Sequence, residues 1–249
     1  MGNIAQLEGL TFLDISYCKE VTDAGLAHFT GKTYPLDTLI INAVNGISGA
    51  GLKQWLHSFK DTLLDFEAAL NDQESFNSSF FEVLGQCWNL ETLDVTGSKG
   101  IDDEGGRLIT AQSVTYMNET IKPGLQYCHT LKINGSTISD ATLPSIIKAM
   151  PDLQHIELCK CEAVGEFGIN SILQNCPNLI YLDLNKVPVA TGSATYGFLD
   201  ELKKTNPDLL IRRNVHVDDD FKKDNGLRVP RRIVEKKKKK KKKKGKKKK

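Results

Sequence analysis

The sequence predicts an α/β fold of the repeat type: a solenoid, curved into a horseshoe, with parallel strands on its concave wall and helices on its convex wall. Three observations predict it. The segment LTFLDISYCKEVTDAGL at residues 10–26 recurs in looser form about every 26 residues as far as residue 210. Each unit opens with alternating apolar and polar residues and continues with apolar residues at three- and four-residue spacing. These two periods belong to a strand and a helix, so about seven strand–helix units are expected.

Each unit opens with the pattern LxxLxL, which Leu10, Leu13 and Ile15 supply in the first repeat. Its period of two predicts a short strand with one buried face. Asp23 stands where it can help to start the helix that follows. Neither half can bury its apolar face alone, so the units are expected to stack into one continuous core. Self-similarity at this period with an LxxLxL core is the signature of leucine-rich repeats.

The repeats can be followed in order along the chain. The third departs most from the pattern: Phe66 and Ala68 stand where aliphatic residues are expected, and its helix, at about residues 78–85, fits better than its strand. The fourth repeat carries about a dozen extra residues, at about 111–123. In a solenoid such an addition is expected as a loop on one edge. The units begin at Leu10, Leu36, Leu63, Leu90, Cys128, Leu153, Leu179 and Leu209.

The charge divides the chain into an acidic body and a basic tail. Residues 228–249 hold 16 of the 33 basic residues and one of the 31 acidic residues, so the residues before them carry 17 basic and 30 acidic side chains. The sequence therefore predicts a solenoid over residues 1–212 and a polar cap or linker over 213–235. Residues 236–249, which are lysine except for Gly245, are expected to be a disordered tail because like charges repel and nothing there can be buried.

The lysine tail allows four interpretations. It can bind the phosphate backbone of a nucleic acid without sequence preference, in a salt-sensitive way. It can bind an anionic lipid surface. Together with Arg231 and Arg232 it can act as a nuclear address. The fourth interpretation is a low-complexity extension without a function of its own.

The cysteines indicate structural positions within the repeats. Cys18 and Cys161 occupy one equivalent position, and Cys87 and Cys176 occupy another, so buried, reduced thiols are expected. The Cys-x-Cys at 159–161 has no second pair at ligand spacing, and neither a metal nor another cofactor is predicted. No apolar run reaches the length of a membrane span, and no secretory signal opens the chain. A cytoplasmic location is expected, with a nuclear or cytoskeletal one left open.

Two segments carry a family resemblance. CPNLIYLDL at 176–184 and LTFLDISYCKEVTDAGL at 10–26 resemble the cysteine-containing subfamily of leucine-rich repeats, and the resemblance covers about residues 4–212. That subfamily is best known from F-box substrate receptors of SCF-type ubiquitin ligases, and relatives serve as subunits of large assemblies such as the axonemal dynein-regulatory assembly. The resemblance implies a ubiquitin-ligase adaptor or the neighbours in such an assembly as partners. No counterpart of the F-box is expected within these 249 residues, since the repeats begin by residue 10.

The sequence shows no pattern that indicates catalysis. The five histidines lie in different repeats, and no phosphate-binding loop, zinc-protease motif, nucleophile elbow or dinucleotide fingerprint occurs. The glycine-rich GISGAGL at residues 46–52 coincides with a strand-to-helix turn, and its glycines are interpreted as residues that allow this turn and not as a phosphate-binding loop. A non-enzymatic protein is therefore expected.

A partner-binding surface is predicted instead. In LxxLxL the residues between the apolar positions point onto the concave wall, and extended concave surfaces are what solenoids use for binding. Five of the seven middle positions are acidic, which predicts a protein partner of basic or mixed charge. The predicted binding residues are Phe12, Asp14, Ser16, Thr38, Ile40, Asn42, Asp65, Glu67, Thr92, Asp94, Thr96, Thr130, Lys132, Asn134, His155, Glu157, Tyr181, Asp183 and Asn185.

Overall fold

The computed structural model describes residues 1–71, 76–111, 113–116, 119–123, 125–191, 199–200, 203–204 and 206–213. Strands and helices alternate along most of the chain, with 3₁₀ turns at Ile4–Gln6, Ala27–Phe29 and Pro188–Thr191. In order, they are β1 Phe12–Asp14, α1 Asp23–Leu26, β2 Thr38–Ile40, α2 Gly49–Leu56, β3 Asp65–Glu67, α3 Ser78–Leu84, β4 Thr92–Asp94, α4 Asp103–Ala111, β5 Ser113–Tyr116, β6 Glu119–Pro123, β7 Thr130–Lys132, α5 Leu143–Ala149, β8 His155–Glu157, α6 Glu166–Asn175, β9 Tyr181–Leu184 and β10 Leu210–Arg213.

One open sheet organises the fold. Its eight strands are all parallel, in the order β1-β2-β3-β4-β7-β8-β9-β10, so each predicted repeat contributes one strand and neighbours in sequence are neighbours in the sheet. The central strand residues, such as Leu39, Leu93 and Ile156, are buried in a continuous core with the helices. The α/β class and the strand-per-repeat arrangement are confirmed. The unit that begins at Leu209 also forms a strand, so the sheet has eight strands where about seven repeats were expected.

The third repeat forms a strand, although its sequence fits the strand pattern poorly. β3 pairs with β2 and β4 in the same register as every other strand of this sheet, and Phe66 and Ala68 are both fully buried. Phe66 lies against Phe80 of α3, with 5.9 Å between the ring centroids. An aromatic pair therefore packs in the core where other repeats place an aliphatic strand residue.

The insertion in the fourth repeat is a β-hairpin in its described parts. β5 and β6 pair antiparallel and form a separate two-stranded sheet. Valine, threonine, tyrosine and isoleucine, which favour strands, make up much of the two segments SVTY and ETIKP. The expected loop is thus a hairpin. The predicted cap over 213–235, apart from Arg213, and the lysine tail over 236–249 lie outside the described residues.

Each strand of the large sheet up to β9 is followed by the same turn, with a residue at positive φ. Except after β9, the backbone N–H of this residue donates to a carbonyl of the next repeat, as Tyr17 does to Asn42 at 2.8 Å and Leu70 does to Thr96 at 2.9 Å. A turn that needs positive φ favours glycine there, because a β-carbon is crowded in this conformation. The seven positions are Tyr17, Ala43, Leu70, Gly97, Gly135, Lys160 and Lys186.

Carboxylates join consecutive repeats at the starts of the helices. Asp23 is the first residue of α1, where it was expected to help start the helix. Its two oxygens accept hydrogen bonds from the backbone N–H and hydroxyl of Ser48, at 2.9 and 2.6 Å. Asp103 holds Ser139 of the following repeat in the same way. Glycine makes room for the contact, since a β-carbon on Gly51 would lie 2.0 Å from Asp23 Oδ1. The glycines of GISGAGL thus permit close approach between repeats.

Asp140→Ala is expected to lower the free energy of unfolding by about 1–2 kcal/mol, because its carboxylate accepts hydrogen bonds from three backbone N–H groups at the start of α6. These belong to Gly165, Phe167 and Gly168, at 2.7, 3.2 and 2.9 Å. Urea unfolding of the full chain measures the change. Asp152→Ala removes an exposed carboxylate and serves as the control. Equal losses in the two variants would contradict the role of Asp140.

Four of the six cysteines are buried as expected, but Cys18 is exposed and Cys159 is only partly buried. Cys87, Cys128, Cys161 and Cys176 are buried free thiols, and burial raises the pKa of the Cys87 thiol to about 12. Cys161 lies between two repeats and donates to Ile133 of the preceding one. Cys18 is exposed, because β1 has a strand neighbour on one side only among the described residues.

Candidate partner-binding face

The sheet has one covered and one open face. In every three-residue strand of the sheet the central residue is buried in the core, while the residues on either side of it point the other way. No described helix or strand covers that second side, and most of its side chains are half-exposed. We call it the open face. It consists of the first and third residue of each strand, together with the residue two positions beyond.

The parallel register aligns the open face in columns, as predicted. Equivalent residues of neighbouring repeats are direct partners across the sheet. The first column consists of Phe12, Thr38, Asp65, Thr92, Thr130, His155 and Tyr181, and the structure adds Leu210. The middle column consists of Asp14, Ile40, Glu67, Asp94, Lys132, Glu157 and Asp183, and the structure adds Arg212. The third column contains Ser16, Asn42, Thr96, Asn134 and Asn185.

Lys132 lies at the centre of the open face among carboxylates. Its Nζ is 3.2 Å from Asp94 Oδ2. Burial lowers the pKa of Lys132, but the carboxylates of Asp94, Glu157 and Glu67 outweigh this effect, and the pKa lies above its usual value. The ammonium therefore stays charged and ties the fourth, fifth and sixth repeats together electrostatically.

The pKa values of two carboxylates near Lys132 are shifted in opposite directions. Burial, followed by repulsion from Asp94, raises the pKa of Glu67. A hydrogen bond with His155 Nε2, at 2.8 Å, is the main reason why the pKa of Glu157 is lowered. Glu157 also accepts a hydrogen bond from Asn134 at 2.8 Å. A cation brought by a partner would therefore favour the charged form of Glu67.

The far end of the open face forms a compact polar cluster. The rings of His155 and Tyr181 stack, with 4.4 Å between their centroids. Asp183, which is only 3% exposed, accepts a hydrogen bond from Arg212 Nη1 at 3.3 Å. Burial raises the pKa of Asp183, although the Asn185 N–H and Arg212 favour its charged form. Asp183 is therefore mainly an internal partner of Arg212, a residue that the repeat pattern did not predict.

Several predicted binding residues also have structural roles. Asp14, Asp94 and Asp183 each accept a hydrogen bond from the backbone N–H two residues further on, at 2.9, 3.0 and 2.8 Å. Asn42 and Asn134 accept hydrogen bonds from backbone N–H groups of the next repeat, both at 2.7 Å. An aspartate or asparagine here stabilises the end of its strand. These side chains keep only part of their hydrogen-bonding capacity for a partner.

Two large exposed side chains beside the open face were missed. Tyr17 and Leu70 occupy positive-φ positions and are 66% and 54% exposed. Phe12, which was predicted, is exposed at the same end of the sheet. The first three repeats thus combine apolar side chains with the carboxylates of Asp14 and Glu67.

Other kinds of site are not indicated in the described part of the chain. Within those residues, no group of three or more histidine, cysteine, aspartate or glutamate side chains is placed to hold a metal ion. None of the described helices is long and apolar enough to cross a membrane. The core contains an apolar space of about 20 Å³, lined by residues such as Leu93, Leu131 and Ile146. Its lining has no polar side chain that would orient a ligand.

Comparison with known proteins gives a limited likeness. No family model matches the chain. A chain in the crystal structure of the Rad7 and Elc1 complex in yeast is 16% identical, with a TM-score of 0.39 over 81% of this chain and 69% of that one. A chain in the octameric complex of Latrophilin 3, Unc5D and FLRT2 is 13% identical, with a TM-score of 0.38 over 83% of this chain and 70% of that one. Both TM-scores are below 0.5, so the fold assignment rests on the register of the sheet.

Proposed function

We propose that the chain is a leucine-rich-repeat solenoid that acts as a non-enzymatic protein-interaction module and binds a protein partner on its open face. The observation that carries the proposal is the uncovered side of an all-parallel sheet. Parallel sheets are usually covered on both faces, because their strands are joined by helices that pack on each side. Here the connections lie on one side, and the described residues leave the other side open.

The chemistry of the open face supports a protein as the ligand. The side chains are held in register by the sheet, so a partner meets a preformed surface and little ordering is lost on binding. Aromatic side chains at Phe12, His155 and Tyr181 provide the kind of anchor that interfaces favour. Carboxylates outnumber cations in the middle column, which suits a partner of basic or mixed charge.

The open face is tested by a paired substitution, Asp65→Arg with Thr92→Arg. These residues are direct partners in the first column, and no hydrogen bond of their side chains holds the fold in the described residues. Two arginines there add bulk and positive charge to the centre of the surface. The control pair is Asp152→Arg with Gln174→Arg, both exposed and outside the open face.

The full chain with each pair is purified from native cells and its co-purifying proteins are quantified. We expect a set of proteins to fall about fivefold or more with the open-face pair and to stay unchanged with the control, as for disruption of a central contact. Equal losses with both pairs, or no loss with either, would contradict the proposal.

The same measurement separates the alternatives that the sequence leaves open. A ubiquitin-ligase adaptor among the lost proteins would favour a substrate receptor, and the components of one large assembly would favour a structural subunit. A form ending at residue 227 tests the lysine tail. Partners that disappear with this truncation and dissociate in salt would favour a nucleic-acid-associated protein.

A further inference from the structure

Tyr17 and Leu70 keep large side chains where the backbone favours glycine. Both have positive φ, of 63° and 62°, at the repeat position that Gly97 and Gly135 occupy in the fourth and fifth repeats. A β-carbon at positive φ is crowded by the backbone, so glycine is the residue of lowest cost there. The chain itself shows that the turn forms with glycine.

Packing does not account for these two side chains. Both are more exposed than buried, so they contribute little to the core. Leu70 lies over the backbone of the next repeat, where a β-carbon on Gly97 would be 2.8 Å from Leu70 Cδ2. Gly97 thus leaves room for Leu70, which remains largely in solvent. Exposed apolar side chains that gather in one place indicate an interaction surface.

The neighbouring carboxylates lack cations of their own. Within the described residues, no lysine, arginine or histidine lies within ion-pair distance of Asp14, Asp65 or Glu67. The later repeats differ, since Asp94 pairs with Lys132 and the other acids of the middle column have a histidine or an arginine beside them. On the described open face, carboxylates without an ion-pair partner are confined to the first three repeats.

We infer that the first three repeats of the open face form the docking site for a basic protein segment that also carries an aliphatic or aromatic side chain. Tyr17 and Leu70 receive the apolar side chain, and Asp14, Asp65 and Glu67 face the lysine or arginine side chains. The inference rests on the proposed function and names the partner's chemistry and the part of the face that it contacts.

The dimensions of the sheet suit a short segment. Tyr17 and Leu70 belong to repeats separated by two strand spacings, which is roughly 10 Å. Three extended residues or two helical turns span about this distance, so one short segment can contact both. Apolar contact provides most of the affinity, and the carboxylates select for basic partners and accelerate association in low salt.

The probe is a displayed library of random peptides, selected on the immobilised full chain. We expect the enriched peptides to combine lysine or arginine with a leucine, phenylalanine or tyrosine. The affinity of a synthetic enriched peptide is then measured by fluorescence anisotropy for two double variants. One is Tyr17→Gly with Leu70→Gly, and its matched control is Lys160→Gly with Lys186→Gly, which changes the same turn position in the sixth and seventh repeats.

The first double variant is expected to weaken peptide binding about tenfold or more, and the control less than about twofold, as for hot-spot and peripheral residues. Both variants should keep or raise the melting temperature, because glycine relieves the crowded backbone, and this excludes misfolding as the cause of lost binding. Enrichment of acidic or uncharged peptides would overturn the inference, and so would an equal loss of binding in both variants.

A third variant separates this inference from the proposed function. Thr92→Arg with Thr130→Arg obstructs the fourth and fifth repeats of the open face. If that pair abolishes peptide binding and the Tyr17 and Leu70 variant does not, the open face binds protein but the docking site is wrongly placed. If no variant of the open face changes binding, both the inference and the proposed function fail.

Discussion

Asn71→Ala is expected to lower the free energy of unfolding by about 3 kcal/mol, because it leaves buried backbone groups without partners in the second repeat. Asn71 is only 2% exposed. Its Oδ1 accepts a hydrogen bond from the Val44 N–H at 2.8 Å, and its Nδ2 donates to the Ile41 carbonyl at 3.0 Å. One side chain from the third repeat thus completes the turn of the second.

The turn explains why this asparagine matters more than a surface amide. In the first repeat the equivalent N–H, that of Cys18, donates directly to the Ile15 carbonyl at 3.1 Å. In the second repeat the amide of Asn71 is inserted between the two corresponding groups and bridges them. The backbone N–H of Asn71 donates to Ser98 of the fourth repeat at 3.0 Å, so one buried residue links three repeats.

Urea unfolding of the full chain, followed by circular dichroism, measures the loss in Asn71→Ala. The control is Asn175→Ala, which removes a half-buried amide that donates within its own helix, to Ser171. It should lose less than about 1 kcal/mol. A similarly small loss in Asn71→Ala would mean that the second turn closes directly, as the first does, and that the bridge is dispensable.

The sheet could be predicted from the sequence because the alternation of apolar and polar residues is contained within each repeat. The alternation around Leu13 or Leu93 specifies which side of the strand is buried, and a one-residue slip would turn those side chains outward. Stacking in register then follows, since every unit presents the same face. For this reason even the third repeat, with Phe66 in place of an aliphatic residue, forms its strand on the predicted residues.

Contacts between repeats were not predictable in the same way. Asp23 sits at the start of a helix, where it resembles an N-terminal cap, but its partner is Ser48, 25 residues further on. In the sequence, Asn71 is a polar residue in the repeat that departs most from the pattern, and nothing there indicates a structural role for it. Both polar side chains are satisfied by backbone or hydroxyl groups of the neighbouring unit, and a pattern confined to one unit contains no information on them.

The candidate site also contains residues that the repeat pattern predicts and residues that it does not. Its columns were predictable from the register, whereas Arg212 was missed because the repeat pattern stops at residue 211, although the strand continues to Arg213. Tyr17 and Leu70 were missed because positive φ is revealed in sequence mainly by glycine. An alignment of the repeats on Gly97 and Gly135 places Tyr17 and Leu70 at the same turn position, and this is the sequence signal that identifies them.

Lys132→Met is expected to lower the free energy of unfolding by about 2 kcal/mol at neutral pH, because it removes the cation from a partly buried group of carboxylates. The methionine keeps most of the volume of the lysine stem, so the loss reports on charge and not on a cavity. The control is Lys53→Met, whose partner Glu82 is 2.8 Å away but well exposed. A pair of that kind is worth less than about 1 kcal/mol.

The pH dependence of this loss identifies its origin. The pKa of Glu67 is already raised by burial and by Asp94, and it should rise further when Lys132 is replaced. A carboxyl whose pKa is higher in the folded state stabilises the fold fully below its unfolded pKa, and this contribution disappears as the pH rises through the folded pKa. The deficit of Lys132→Met should therefore be smaller near about pH 4 than near about pH 7, where Glu67 is charged. A deficit of the same size at both pH values would show that the interaction of Lys132 with Glu67 is not the cause of the loss.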